Sequence, residues 1–353
     1  MDIKVFLLSL IEQLKKAELD PIQLSDNKEI KKLHNELYFL SLTNNSSKLH
    51  PNNIQNFLLL MQKEIGRWGI FSKIELEEEG IPEDLTILDD YIGISEEADY
   101  FYANCNSSFD EVSQIIEDVL IYCRNTQLQN EYVSFRKFLI KNPISSRRDI
   151  TRVQIQNQFD PFLCQTLEKC YEEIPKEAEY SCQTCGWTLI KKANRYVCGK
   201  KTCREDFNLQ SLTQNKIEIS KHLRVKKPIL LSVVIPGIPE LDFASELENV
   251  GIDVELYPNL ERLGDLKATY NSSNYYIDMK DYSDYRDLVS YLIEEKNRIK
   301  TPYIVISESK TNLRKNRTPQ YVKKVNKKLE DEGITHFKLY SCSEMKNLIT
   351  KGV

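Results

Sequence analysis

The chain has 353 residues, enough for two or three domains, and 41% of them are hydrophobic, enough for packed cores. A formal net charge of −5 argues against indiscriminate binding to nucleic acid, and the 11 glycines form no phosphate-binding loop of the Walker or dinucleotide type. The opening segment has an amphipathic helical pattern rather than a targeting signal, and no apolar run approaches about 18 residues, so we expect no membrane span and a cytoplasmic location, with the nine cysteines reduced unless they bind metal.

Residues 1–175 are predicted to form a mainly helical region. Apolar residues recur at helical spacing in five stretches, within 7–14, 30–40, 54–65, 112–120 and 132–140. Asp26 is predicted to cap the second helix. The segment 145–156, which contains Arg147, Arg148 and Arg152, is open to two interpretations: the edge of a small DNA-binding unit such as a winged helix, or a basic linker or partner-docking loop. The second is the simpler.

Residues 176–207 contain two cysteine pairs, Cys182 with Cys185 and Cys198 with Cys203. Two pairs with short internal gaps, about a dozen residues apart, are typical of a tetrahedral zinc site with four cysteine ligands. The apolar residues between the pairs predict a two-stranded ribbon. Because four thiolates leave no open coordination position, we expect the zinc to be structural.

Basic residues are concentrated in two blocks, at 191–227 and 296–328, and the first includes a basic linker predicted at 208–227. These blocks are open to two interpretations, a localised phosphate-binding face or ordinary solvated helix and loop surface.

Residues 228–353 are predicted to form the last domain, and its central feature is a β-hairpin. Strands at 266–270 and 275–277 flank a turn-like 271–274. Asp265 opens the first strand, and Asp278 and Lys280 close the second, two residues apart and so on one face. Two carboxylates and a lysine at one end of a hairpin can form a compact site for Mg²⁺ and a phosphate group, although Asp-x-Lys alone is common by chance.

A predicted helix and strand precede this hairpin, and a helix and strand follow it. This order resembles the core of the PD-(D/E)xK restriction-endonuclease-like nucleases. CQTCGW, PGIPELDFASELENVGIDVELYPNLERLGDLKAT and YYIDMKDY look similar to the zinc-ribbon nuclease subunit of bacterial restriction modules associated with prokaryotic PIWI-like proteins. One departure is Gly264, which stands before the first acid where the motif's name leads us to expect a proline.

The resemblance implies roles for individual residues. Asp265, Asp278 and the backbone carbonyl of Met279 would hold one or two Mg²⁺ ions, and Lys280 would activate the attacking water. Glu240 matches the extra glutamate that many members use, with Glu246 as the alternative. We expect the DNA backbone to be contacted by four basic residues: Lys310, Arg314, Lys315 and Arg317.

The sequence therefore predicts an α+β multidomain protein with a helical N-terminal region, a four-cysteine zinc ribbon and a C-terminal αβββαβ nuclease core. The expected function is metal-dependent DNA cleavage in restriction and anti-phage defence, with other defence subunits as partners and a possible homodimer. The alternative is an inactive nuclease fold, or a zinc-ribbon regulator or scaffold, that binds DNA or a partner.

Overall fold

The structure is a computed structural model that describes residues 2–17, 27–43, 50–89, 93–105, 107–192, 195–200, 203, 215–280, 282, 285–307 and 318–351. The chain divides into two compact units: Met1–Glu111 with Leu189–Lys201, and Val112–Thr188 with Thr202–Val353. Both α-helices and β-strands are present, as the sequence predicts. The predicted boundaries at 175, 207 and 227 stay predictions.

The first unit is largely helical, and its helices bury the apolar faces that the sequence predicts, among them Leu7, Leu10 and Leu14. Asn27 caps the second helix, since its side chain accepts hydrogen bonds from the backbone N–H groups of Glu29 and Ile30; Asp26, the predicted cap, lies outside the described residues. The elements are α1 (Ile3–Lys16), α2 (Lys28–Thr43), α3 (Ile54–Met61), α4 (Lys73–Glu78), β1 (Leu88–Asp89), β2 (Gly93–Ile94) and α5 (Glu96–Asn104).

Two long helices and a small sheet follow in the chain. The elements are α6 (Ser107–Thr126), α7 (Gln129–Lys141), β3 (Ile144–Ser146), α8 (Arg147–Gln156), α9 (Pro161–Lys169), β4 (Tyr171–Glu173), β5 (Ile190–Lys192), β6 (Arg195–Val197) and β7 (His222–Val225). β7 lies between β3 and β4 in an antiparallel sheet, and β5 pairs with β6. The order from α7 to β7 is compatible with the winged-helix alternative, and the β5–β6 pair confirms the predicted ribbon.

The last part of the chain wraps helices around a mixed sheet. The elements are α10 (Lys227–Glu248, with a π-helical stretch at Leu230–Val234), β8 (Asp253–Leu256), β9 (Leu266–Tyr270), β10 (Ser273–Lys280), α11 (Tyr285–Glu294), β11 (Tyr303–Ile306), α12 (Thr318–Asp331), β12 (Lys338–Ser341) and α13 (Cys342–Lys351). The sheet order is β12-β11-β10-β9-β8. β8, β9 and β10 pair antiparallel, whereas β10, β11 and β12 are parallel. The predicted helix, three strands, helix and strand are all present, and α12, β12 and α13 extend them.

The predicted hairpin is confirmed, but its turn is shorter than predicted. Asn271 and Ser272 have φ of 48° and 64° and form the turn. Ser273 and Asn274, predicted as turn residues from their polarity, instead begin β10 and pair with Tyr270 and Thr269. A two-residue turn with positive φ matches the twist of the strands it joins, and this outweighs the low strand preference of serine and asparagine.

Apolar side chains alternate along the sheet and face two different clusters. Ile277 and Met279 of β10 lie in a cluster with Leu247 of α10, whereas Ile304 of β11 packs with Leu288 of α11. Because alternate residues of a strand face opposite sides, Asp278 and Lys280 lie on the face away from Ile277 and Met279.

Among the described helices, α10 has the length and the apolar composition that a membrane-spanning helix would need. Of its most apolar window, 56% is buried within the protein. Phe243, Ala244 and Leu247 pack on the sheet, so the apolar character of α10 is used in a protein core.

Candidate active site

The ends of β9 and β10 bring together the three charged residues that the hairpin predicts. Asp265 immediately precedes β9, and its carboxylate accepts a 2.7 Å hydrogen bond from the backbone N–H of Met279. On the same strand, the Lys280 ammonium donates to the Asp278 carboxylate at 2.9 Å. Both side chains of this ion pair are less than one-fifth exposed. The structure thus places two carboxylates and one ammonium at one end of the hairpin.

The backbone of Met279 faces this cluster too, while its side chain is buried in the apolar core. The N–H and C=O groups of one strand residue point to the same edge of the strand. Since the Met279 N–H points to Asp265, its carbonyl oxygen is directed to the same side. Two carboxylates and a carbonyl are hard oxygen donors, the type that Mg²⁺ binds, so these groups fit the implied ion.

Gly264 determines how closely Asp265 approaches β10. Its φ is +97°, and a Cβ placed on it would lie 2.5 Å from the Ile277 carbonyl oxygen and 2.9 Å from a Thr301 methyl group. The next residue is then tied down, because the Asp265 N–H donates to the same Ile277 oxygen at 2.9 Å. A glycine at this position fits a close backbone approach that no other residue allows.

Burial and neighbouring charge set the protonation of the cluster. Burial first, and then the charges of Glu240 and Asp278, raise the pKa of Asp265 well above its usual range. Burial lowers the pKa of Lys280, but the charges of Asp278 and Asp265 outweigh it, so the net direction is upward. Lys280 is therefore a cation at neutral pH. A bound metal cation would lower the pKa of Asp265 and stabilise its ionised form.

Glu240 lies in α10, 4% exposed, and is engaged by protein groups. The Tyr257 hydroxyl donates to it at 2.7 Å, and one guanidinium nitrogen of Arg136 lies 3.3 and 3.4 Å from its two oxygens. Burial raises the pKa of Glu240, while Arg136 and the Tyr257 hydroxyl act in the opposite direction.

Sequence analysis did not single out Arg136, which lies on α7, 104 residues before Glu240. Its other terminal nitrogen contacts the Glu261 carboxylate, and its guanidinium stacks 4.4 Å from the centre of the Tyr257 ring. One signal was present: Arg136 is a charged residue within the predicted apolar face of its helix, between Tyr132 and Leu139. A charge at such a position predicts a buried partner.

Helices α6 and α7 also hold the turn that leads to Asp265. Within 257–261, four residues have positive φ: Tyr257, Asn259, Leu260 and Glu261. Gln129 donates to the Tyr257 carbonyl at 2.9 Å and accepts from the Leu260 N–H at 2.8 Å, and Arg124 donates to the Leu260 carbonyl. The Tyr257 N–H in turn donates to the Asp265 carbonyl at 2.7 Å. Left-handed residues persist only where their surroundings fix them, and here two helices do so.

The four predicted zinc ligands form a second centre. Cys182, Cys185, Cys198 and Cys203 are buried, and their sulfur atoms all lie within 4.8 Å of one another. Four converging sulfurs fit a tetrahedral Zn²⁺ ion. Beside the first pair, the Trp187 indole donates to the Val225 carbonyl at 2.9 Å, which joins the segment of the first cysteine pair to β7.

Five further predicted residues remain to be placed. Lys310, Arg314, Lys315 and Arg317 lie outside the described residues. Glu246, the alternative to Glu240, is an exposed residue of α10.

Residues 237–353, about a third of the chain, match the family model described as "REase associating with pPIWI_RE", where REase abbreviates restriction endonuclease. The match includes Glu240, Asp265, Asp278 and Lys280, and it begins after α7 and after the cysteine cluster. No curated protein and no solved structure matches the chain.

Proposed function

We propose, from the premise that residues 237–353 form a restriction-endonuclease-like domain of a pPIWI-associated module, that the protein is a Mg²⁺-dependent endonuclease of the PD-(D/E)xK type. It would hydrolyse phosphodiester bonds of DNA in anti-phage defence, together with other subunits of that module. One observation supports this most: the carboxylates of Asp265 and Asp278, the Met279 backbone and the Lys280 ammonium meet at one end of the β9–β10 hairpin.

In this proposal Asp265, Asp278 and the Met279 carbonyl hold the metal, as one or two ions. Such an ion would supply Lewis acidity, both for activating a water molecule and for stabilising the leaving 3′ oxygen. Lys280, protonated and fixed by Asp278, orients the attacking water and stabilises the charge that develops on the phosphoryl oxygens. It acts as a cation, because the adjacent carboxylates raise its pKa.

Lys310, Arg314, Lys315 and Arg317 are proposed to contact the DNA backbone. Each phosphate contact contributes a slope of about 0.9 to the plot of log binding constant against log salt. Replacing Arg314 and Lys315 with alanine should reduce that slope by about 2. Alanine at Lys31 and Lys32, exposed lysines of α2, should leave it unchanged. Equal salt dependence of DNA binding in the two double variants would contradict the assignment of Arg314 and Lys315 as phosphate contacts.

A second candidate is an inactive nuclease fold that binds DNA or a partner as a regulator or scaffold. The observation in its favour is the Arg136–Glu240 pair, which needs no metal to hold it together. A binder requires neither a divalent ion nor Asp278, so metal dependence separates the two candidates.

The test is the substitution Asp278→Ala, with cleavage and binding of DNA measured on the same samples. We expect cleavage to be lost while zinc content and the circular dichroism spectrum stay as in the unmodified protein; the variant should unfold at a lower temperature, because Lys280 loses its carboxylate partner. Asp253→Ala, at the exposed start of β8, is the matched control and should cleave normally. Mg²⁺-dependent cleavage by the Asp278 variant would contradict the assignment.

We place the protein in the cytoplasm, where its cysteines are kept reduced and available to zinc. Since one such centre cuts one strand, cleavage of a duplex would need two copies, which makes a homodimer part of the proposal. A mass measurement of the DNA-bound protein in solution tests this; a single copy on each linearised site would contradict it.

A further inference from the structure

Arg136 is a buried cation inside a carboxylate site, supplied by a helix outside the matched domain. It is 12% exposed, and Glu240 and Glu261 are its two ion-pair partners among the described residues. The Tyr257 ring covers one face of the guanidinium. A guanidinium is planar and always charged, so it binds two carboxylates at fixed positions as a metal ion would.

Glu240 is not available to a metal in this arrangement. One oxygen accepts from the Tyr257 hydroxyl, and both lie near the Arg136 guanidinium. Turning Glu240 toward an ion would leave a buried guanidinium short of a partner, which is strongly unfavourable. The distances agree. Among the described residues, the ligand atoms of the four cysteines all lie within 4.8 Å of one another, whereas the carboxylate oxygens of Glu240, Asp265 and Asp278 do not form such a group.

The contacts of the other carboxylates point to the same conclusion. Arg136 lies between Glu240 and Glu261 and pairs with both. Asp265 instead accepts from the backbone N–H of Met279, and Asp278 immediately precedes Met279 on the same strand. Asp265 and Asp278 are therefore the two carboxylates placed to hold one ion.

We propose that the Arg136 guanidinium takes the place of a second metal ion, so that the site binds a single divalent cation at Asp265 and Asp278. Arg136 is then a positioning residue: it holds Glu240 and Glu261, and through the turn at 257–261 it helps to place Asp265. This inference rests on the proposed metal-dependent function, and it gives Glu240, the glutamate that the resemblance assigns to the nuclease site, a guanidinium partner in place of a metal ion.

The test is to titrate Mn²⁺ into the zinc-loaded full-length protein, by calorimetry for stoichiometry and by electron paramagnetic resonance for coupling between ions. We expect one Mn²⁺ per chain with an uncoupled spectrum. Glu240→Gln should still bind one Mn²⁺, whereas Asp278→Ala should bind it more than about 10-fold more weakly, since the loss of a direct ligand costs more than the loss of an outer-shell partner. Arg136→Met should gain a second Mn²⁺, because Glu240 and Glu261 lose their cation, and Arg136→Lys should keep one.

Two coupled Mn²⁺ ions in the unmodified protein, reduced to one by Glu240→Gln, would overturn the inference and leave the nuclease proposal standing. No Mn²⁺ at the site would overturn both. Circular dichroism and zinc content check the fold of the Arg136 variants. Should Arg136→Met not fold, the comparison between the unmodified protein and Glu240→Gln decides the question.

Discussion

At the scale of single residues, Gly264 has the most direct effect on the candidate site. It has a left-handed backbone conformation and lies against the Ile277 carbonyl, one residue before the carboxylate of Asp265. Where the sequence comparison led us to expect a proline, the structure needs a residue without a Cβ, since φ of +97° is closed to proline.

Gly264→Ala should lower the free energy of unfolding by about 3 kcal/mol, because it adds backbone strain and a backbone clash. It should also weaken Mn²⁺ binding, since relief of the clash moves Asp265 away from Met279. Gly251→Ala is the matched control: φ is +82°, but nothing lies within 4 Å of the added Cβ. We expect the control to cost about 1 kcal/mol and to leave Mn²⁺ binding unchanged.

Urea unfolding and Mn²⁺ titration of both variants measure these effects. Equal losses of stability in the two variants would mean that the approach to Ile277 has no energetic role. Unchanged Mn²⁺ binding in Gly264→Ala would mean that this glycine does not help to position Asp265 for the metal ion.

Residue-level prediction succeeded where the partners are close in sequence. Asp278 and Lys280 are two residues apart on one strand. Asp265 lies beside them at the start of the antiparallel neighbour strand, and a two-residue turn joins the two strands, so local spacing alone brings the three residues together. It failed for Arg136, because no local pattern gives the contact of α7 with a glutamate 104 residues away. Charge in an apolar helical face was the one available signal.

At the scale of elements, the ribbon between β4 and β7 contains the second centre. Its four sulfurs converge, and Trp187 and Arg224 join the first cysteine pair to β7 through a hydrogen bond to Val225 and a cation–π contact of 4.6 Å. Cysteine spacing predicted the four candidate ligands, since short gaps force both sulfurs of a pair toward one ion, and the apolar residues between the pairs predicted the β5–β6 pair.

Cys203→Ser should release the bound zinc, because three thiolates and a hydroxyl form a much weaker site. We expect about one Zn²⁺ per chain in the unmodified protein and less than about one-tenth of that in the variant after dialysis, since thiolate ligands dominate the affinity. Cys164→Ser, a cysteine of α9 that is partly exposed, is the matched control.

Metal analysis of the dialysed proteins measures the zinc content. Full zinc in Cys203→Ser, or loss of zinc in Cys164→Ser, would contradict the assignment of the four ligands.

The lengths of elements were harder to predict than their order. Helix α10 extends to Lys227 through a π-helical stretch, although its sequence contains Pro228, Pro236 and Pro239. The pattern of the sequence favours a helix that begins near Pro239, since proline usually ends or starts a helix. Packing of Val233, Val234 and Ile235 in the core stabilises the longer helix.

At the scale of the whole molecule, acidic and basic residues are separated along the chain. The net charge of −5 includes 48 basic and 53 acidic side chains, and the basic blocks lie at 191–227 and 296–328. A strongly basic surface over the entire chain would favour any nucleic acid; localised blocks are compatible with a localised phosphate-binding face. Residues 308–317 of the second block lie outside the described residues.

The element order of 228–353 was predictable because each helix and strand has its own apolar period. The contacts by which α6 and α7 hold the turn at 257–261 were not predictable from the sequence. Gln129, Arg124 and Arg136 contact a turn more than 120 residues later. The restriction-endonuclease-like domain is therefore completed by residues that its family match does not include.

The most direct test of the central claim is whether the full chain cuts circular double-stranded DNA in a metal-dependent way. The unmodified protein and Asp265→Ala/Asp278→Ala are incubated with Mg²⁺ or Mn²⁺, with and without a chelator, alone and with the other subunits of its module. The account predicts nicks or linear DNA only with metal and intact carboxylates, with 3′-hydroxyl and 5′-phosphate ends that DNA ligase reseals. Equal cutting by the double variant, or cutting that survives the chelator, would contradict it.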